Sequence, residues 1–336
     1  MRIVLTGHTG FKGSWFSVML KELGHDLYGY SLKPIPHGMF DSAKIGRLYA
    51  KETYSDIRDA KKIRKFLVKS RADLVIHFAA QPLVRYSYKH PEETFTVNVN
   101  GTLNVLKAGE ESDSVSNILI ITTDKVYKNL EKRKPFVESD PLGGSDPYST
   151  SKAMADLLTQ SWSQSISNKM ILIGRAGNVI GGGDFAEDRL IPDLYRSYKA
   201  KSKATLRNPE SVRPWQHVLD CLNGYLKLIE ESGKKDLSQA WNFGPEANDY
   251  RTVRDLTIEF QKKIGAGEWL EASDKKMHEA GYLTLDSSKA SKELNWRNKL
   301  NFEDSVSWTA DWFKKVSMGQ NSFNVTIEQV RKFMDS

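Results

Sequence analysis

Ile3-Val4-Leu5-Thr6-Gly7-His8-Thr9-Gly10-Phe11-Lys12-Gly13 opens the chain and decides how the rest is read. Ile3, Val4 and Leu5 form a short apolar run of the kind that a parallel sheet buries on both faces. Residues 14–23 read as a helix, so the glycines stand at a strand-to-helix turn. Gly7, Gly10 and Gly13 permit a tight turn, close approach of backbone to a pyrophosphate, and close packing of helix on strand. The anion would lie at the helix N-terminus, where free N–H groups and the dipole favour it. A glycine motif alone is weak evidence. Strand, glycines and helix in the first 23 residues, with a second strand-like run at 27–31, make a dinucleotide-binding start.

Working outward, strand-like runs recur at 74–78, 118–122 and 170–175 with helical intervals between them. This alternation predicts an α/β fold, a doubly wound parallel sheet with helices on both faces and ligands at the carboxyl ends of its strands. Thr122-Thr123-Asp124-Lys125 and Ala176-Gly177-Asn178 both follow such ends. Around Gly181-Gly182-Gly183-Asp184 the alternation breaks. The expected organisation is a dinucleotide-binding domain over 1–175, with 215–245 returning to its sheet, and a smaller mixed substrate lobe over 176–214 and 246–315. In the tail, 316–336, the apolar pattern of Phe323, Val325, Ile327, Val330, Phe333 and Met334 fits a docked terminal helix.

Composition narrows the class. A chain of 336 residues with 39% hydrophobic content suits a globular protein. No apolar run approaches the roughly 20 residues of a membrane helix, and no signal-peptide core follows Arg2. Cys221 is the single cysteine, which excludes an intrachain disulfide and suits a reducing cytoplasm. Seven histidines without spaced partners argue against a metal site. The net charge of +7 raises the question of nucleic acid, yet the basic residues are scattered among acids, as in residues 230–236. A basic surface that draws in a nucleotide diphosphate explains the balance as well.

Tyr148-Ser149-Thr150-Ser151-Lys152 adds chemistry to the nucleotide site. On a helix, Tyr148 and Lys152 share one face a turn apart, and the ammonium can lower the phenol from its ordinary pKa of about 10. A tyrosinate so poised takes a proton from a sugar hydroxyl while its carbon loses hydride. A lone YxxxK is more often an ordinary amphipathic helix start; the nucleotide site at the other end of the chain shifts the balance.

With the GxxGxxG spacing, this pair resembles the extended short-chain dehydrogenase/reductase superfamily, whose members mostly modify nucleotide sugars on a Rossmann-type fold. The likeness runs from residue 1 to about residue 313. It implies that Gly7, Thr9, Gly10, Phe11, Gly13, Asp56, Ile57, Ala79, Ala80, Gln81 and Asn98, with Tyr148 and Lys152, hold the cofactor. Asn178 corresponds to the superfamily's substrate asparagine. In its dehydratases the two residues after Thr123 remove a proton at carbon 5 and protonate the hydroxyl leaving carbon 6. Thymidine and guanosine diphosphate sugar dehydratases carry Asp-Glu there; Asp124-Lys125 resembles the group acting on cytidine diphosphate glucose. The runs His77 to Arg85, Arg175 to Asp184 and Arg213 to Val218 resemble that group too, whereas Lys128 stands where it carries an acid.

The resemblance implies an internal redox cycle with Thr123, Asp124, Lys125, Tyr148 and Lys152 as the catalytic set. Asp124 as acid and Lys125 as base both require pKa shifts that burial favours and a close ion pair opposes, so a structural salt bridge between them stands as the alternative. Arg207 and Arg213 are candidates for the diphosphate, with Arg189 and Leu190 beside them, and His217 is expected to pack or hydrogen bond near the nucleotide. Trp215 and Trp241 read as core rather than stacking platforms. NAD is the implied cofactor. No acid follows the second strand in Tyr30-Ser31-Leu32-Lys33, so NADP remains open. A nucleotide-sugar epimerase and a non-catalytic NAD-binding sensor are the other readings. The superfamily's habit implies a homodimer through the helices that begin near residues 91 and 148.

Overall fold

In the computed structural model, which describes residues 1–232, 240–265, 267–272 and 280–336, the opening stretch forms strand β1 (Arg2–Thr6), the glycine turn and helix α1 (Phe11–Glu22). Strands β2 (Asp26–Ser31), β3 (Tyr49–Tyr54), β4 (Leu74–His77), β5 (Asn117–Ile121), β6 (Met170–Ala176) and β7 (Ala240–Phe243) join β1 in a seven-stranded sheet. Its order is β7-β6-β5-β4-β1-β2-β3, parallel throughout. The order reverses between β1 and β4, which opens a crevice beyond their carboxyl ends.

The continuous apolar runs are explained by burial on both faces. Val4, Val75, Ile118, Ile120 and Ile171 point to one side, where helices α2 (Ala60–Ser70) and α3 (Gly101–Glu110) bring Ile63, Phe66, Leu67, Val105 and Leu106. Ile3, Leu5, Leu74, Ile76, Leu119 and Leu172 point to the other, against Trp15, Phe16, Met19 and Leu20 of α1. Successive residues alternate between faces, so neither can be polar without leaving one layer unfilled. Helix α4 (Pro147–Ser165) starts sharply because Asp146 accepts from the Ser149 N–H at 2.9 Å and Pro147 supplies a preset φ. Helix α5 (Val218–Glu231) precedes β7 and packs its Leu219, Leu222 and Tyr225 into the α1 side of the core.

Beyond β6 the chain builds short two-stranded ladders, Val179–Ile180 with Gln216–His217, Val212–Arg213 with Arg251–Thr252, and Ala204–Leu206 with Trp269–Glu271. Helices α6 (Val253–Ile264) and α7 (Phe302–Ser317) pack behind them. The tail forms helix α8 (Ser322–Asp335), which buries Val325, Val330 and Phe333 against the same core and ties Arg331 to Glu22 of α1 at 2.6 Å. Of the segments named from sequence, residues 233–239, 266 and 273–279 lie outside the described residues. Among the described residues no helix is long and apolar enough to cross a membrane.

Candidate active site

A cavity of about 1460 Å³ lies at the carboxyl ends of the strands, walled on the far side by the short ladders. Its glycine end is built by close approach. Gly7 has φ +70° and a Cβ there would meet the Ala79 nitrogen at 2.6 Å; a Cβ at Gly13 would meet the Gly7 carbonyl oxygen at 2.6 Å. Turn, helix and β4 exit can thus lie together only without side chains. Gly7, Thr9, Gly10, Phe11 and Gly13 line the cavity with Asp56, Ile57, Ala79 and Ala80. Helix α1 begins with no acidic residue in its first turn and no side chain capping it, which leaves its N–H groups to an anion. Asp56 is held below the usual carboxylate range by Arg58, whose guanidinium and backbone N–H both donate to it. Beside it Ser31, Leu32 and Lys33 line the wall after β2 with no carboxylate among them, and Thr9 is tied to Ser31 through their hydroxyls at 2.8 Å. These features fit a dinucleotide.

Gln81 and Asn98, both expected on the cofactor, do not line the cavity. They are buried behind the wall and hold each other, Asn98 Oδ1 accepting from the Gln81 N–H at 2.8 Å. Asn98 also donates to the Ser151 hydroxyl on α4 at 2.8 Å, and Gln81 donates to Thr94 at 2.8 Å. These bonds join the β4 exit to α4.

At the other end stand Tyr148 and Lys152, one turn apart on α4. The expected lowering of the phenol by the ammonium is corrected here. Lys152 Nζ donates to the Ile121 carbonyl at the tip of β5 at 2.8 Å. Burial pushes Tyr148 up to about 12, opposed by the Thr123 hydroxyl and the Arg189 charge. Burial likewise carries Lys152 down to about 8, with the Lys12 charge adding to it and Asp156 opposing. Helix α4 is clamped where this matters. Arg175 at the end of β6 forms a two-pronged pair with Asp156 at 2.7 and 2.9 Å, and Thr122 donates to the same carboxylate at 2.9 Å. Both charged partners are buried. Asp156 went unnoticed in the sequence; a carboxylate four residues beyond Lys152, on the same buried face, was the available signal.

The structural ion pair between Asp124 and Lys125 is also corrected. Asp124 is fully buried and turns its carboxylate away from Lys125: Oδ1 accepts from the Thr123 hydroxyl and Oδ2 from the Asn178 amide, each at 2.9 Å. Among the described residues no ion pair joins it to Lys125, which stands half-buried on the cavity wall. Lys128 is exposed on the same wall.

Arg213 in one of the short ladders, Asn178 and Arg207 beside two others, and Arg189 and Leu190 at the start of the helix Leu190–Lys199 all line the cavity. Arg207 shares Asp188 with Arg85 of the opposite wall, at 3.2 and 2.8 Å, an arrangement between distant segments with no mark in the sequence. Arg213 donates to its neighbour's carbonyl, that of Val212, at 2.9 Å. Trp215 contributes to the wall while its indole N–H donates to the Arg251 carbonyl at 3.2 Å; Trp241 is core. His217 is the third correction. It is sealed between the rings of Trp15 and Trp308, caps α5 by accepting from the Leu219 N–H at 3.3 Å, and takes no part in the wall. Burial pushes it down to about 3, so it is neutral.

Comparison with known proteins agrees with this geometry. Residues 4–309 match the family model of GDP-mannose 4,6 dehydratase. The CDP-glucose 4,6-dehydratase of Salmonella typhimurium is 38% identical over all of this chain and 96% of its own length. A UDP-glucose 4-epimerase of Erwinia amylovora is 26% identical over 96% of this chain and its own full length. Among solved structures, a dTDP-glucose 4,6-dehydratase of Streptomyces venezuelae with NAD bound superposes with a TM-score of 0.82 at 24% identity, covering 94% of this chain and 97% of that one.

Proposed function

The chain belongs to the GDP-mannose 4,6 dehydratase family, and we propose that it converts CDP-D-glucose to CDP-4-keto-6-deoxy-D-glucose with loss of water. The observation that carries this reading is the full-length similarity to a CDP-glucose 4,6-dehydratase, joined to an Asp124-Lys125 pair on the same cavity as Tyr148. An alternative nucleotide is the second reading, supported by dTDP-glucose 4,6-dehydratases 27–28% identical to this chain. A simple epimerase has no use for an acid and an amine after Thr123.

Gly7, Thr9, Gly10, Phe11 and Gly13 would hold NAD, which would supply an acceptor for the carbon 4 hydride and its return to carbon 6. Tyr148 receives the proton of the sugar 4-hydroxyl; its burial makes ionisation costly, the Arg189 charge eases it, and the Thr123 hydroxyl does so when a protonated Asp124 frees its single hydrogen for Tyr148. Once carbon 4 is a ketone, the proton on carbon 5 is acidic enough for a modest base, the role assigned to the Lys125 amine. Asp124 gives its proton to the hydroxyl leaving carbon 6. Arg189, Arg207 and Arg213 face the diphosphate, where planar guanidinium groups bind two oxygens at once. The residues from 176–214 and 246–315 serve as the nucleotide-sugar lobe.

A homodimer through α4 fits its exposed Met154 and Leu157, which leave an apolar stripe uncovered, and a cytoplasmic location fits the single buried Cys221. Incubation with CDP-glucose, UDP-glucose and dTDP-glucose separately, followed by mass spectrometry, tests the substrate. Loss of one water confined to CDP-glucose is expected. An unchanged mass with an inverted sugar centre overturns the dehydratase reading in favour of an epimerase.

A further inference from the structure

Resting on the dehydratase reading, we infer that Asn178 is a positioning residue for the acid Asp124, holding it through both of its protonation states, and not only a ligand for substrate. The observations are local and mutually dependent. Asn178 adopts a left-handed backbone, φ 49°, immediately after β6. That conformation is unfavourable for most side chains and tolerable for asparagine. It turns the carboxamide back across the strand end, where Nδ2 donates to Asp124 Oδ2 at 2.9 Å. On the remaining side Gly177 lies flat against the carboxylate. Thr123 closes the other oxygen at 2.9 Å. The carboxylate is therefore seated by backbone on one side and by one donor at each oxygen, and it is fully buried.

The chemistry requires this seat to accept two states. As a carboxylate, Asp124 needs donors at both oxygens, which Thr123 and the Asn178 NH₂ provide. As the acid, it carries a hydroxyl that must have an acceptor until the leaving oxygen of carbon 6 takes the proton. A carboxamide presents a donor and an acceptor at the same reach, and a half-turn about its last bond exchanges them. Asn178 can thus hold either form without moving the carboxyl carbon. The atoms balance: the proton on Asp124 goes to the departing oxygen, which leaves as water; Lys125 takes the carbon 5 proton and returns it there as the hydride removed from carbon 4 reaches carbon 6; and the proton taken by Tyr148 from the 4-hydroxyl replaces, by way of solvent, the one Asp124 gave up.

Asn178→Gly tests this, because glycine keeps the left-handed turn and removes only the carboxamide; Asn178→Asp, nearly isosteric, puts a like charge in its place. Stopped-flow absorbance at 340 nm reports cofactor reduction, rapid-quench mass spectrometry separates the 4-keto sugar, two mass units below substrate, from the dehydrated product, and calorimetry with CDP measures ligand affinity. The expected result for both variants is a fall in turnover of about 100-fold, with CDP affinity falling by far less than turnover and a build-up of reduced cofactor with the 4-keto sugar. Weakened CDP binding in step with activity and no build-up overturns the inference and returns Asn178 to a substrate ligand. Wild-type turnover in both variants overturns it as well. If the wild type itself loses no water from any nucleotide glucose, the dehydratase reading fails first and takes this one with it.

Discussion

Gly177→Ala provides a sharp mechanical test of the site. A Cβ at 177 would lie 1.9 Å from both the carboxyl carbon and Oδ2 of Asp124, and 2.1 Å from Oδ1. Ordinary contact begins near 3.4 Å, so the carboxyl group must retreat by roughly 1.5 Å. Its two hydrogen bonds, each now 2.9 Å, cannot both survive such a move. A buried carboxylate that loses donors costs about 1.5–3 kcal/mol for each, so the variant should be destabilised by roughly 2–5 kcal/mol and melt several degrees lower. A reacting group displaced by more than an ångström costs about 100-fold in rate. The assay is a double-mutant cycle by urea unfolding, with Gly177→Ala made in the wild type and in Asp124→Ala. Because the three atoms nearest that Cβ all belong to the carboxyl group, the destabilisation should fall below about 1 kcal/mol once it is absent. Equal destabilisation in both backgrounds would refute the reasoning, since it would place the strain in the backbone.

Asp156→Ala strands the Arg175 guanidinium, whose side chain is 1% exposed, and should cost about 3–5 kcal/mol; a melting temperature unchanged within experimental error would show that the clamp is dispensable. Acid should weaken the fold through His77 and His217, both held near 3 by burial, because their neutral form contributes stability above about 6.5 that is lost as pH falls toward 3. Asp220, raised to about 7 by burial, has the opposite sign and adds stability as pH falls from 7 toward 4. For these three groups the balance is a loss of roughly 2 kcal/mol between pH 7 and 4.5, which Glu138, Asp193 and Asp249, raised by burial, oppose in part. Urea unfolding across that range measures it, and stability that climbs steadily on acidification contradicts the assignment.

Much of the site was legible because its parts are local. Gly7, Gly10 and Gly13 announce a turn by their spacing, and strand runs such as Ile118 to Ile121 announce burial on both faces. Tyr148 and Lys152 share a helix face by arithmetic alone, and Asp146-Pro147 marks where that helix begins. Each reading needs only residues within a turn or two of one another, where periodicity and backbone preference dominate.

What the tertiary structure alone decided concerns partners and protons. Asp124 meets Asn178 across 54 positions, not its neighbour Lys125, and Arg175 reaches Asp156 across 19. Lys152 spends its ammonium on the β5 tip instead of on Tyr148, and His217 is walled in by Trp15 and Trp308. Sequence spacing states which side chains a helix or strand can present; it does not state how deeply each will be buried or which donor arrives from another strand. Desolvation and long-range hydrogen bonds set the charge of a group, and both come into being only when the sheet has assembled.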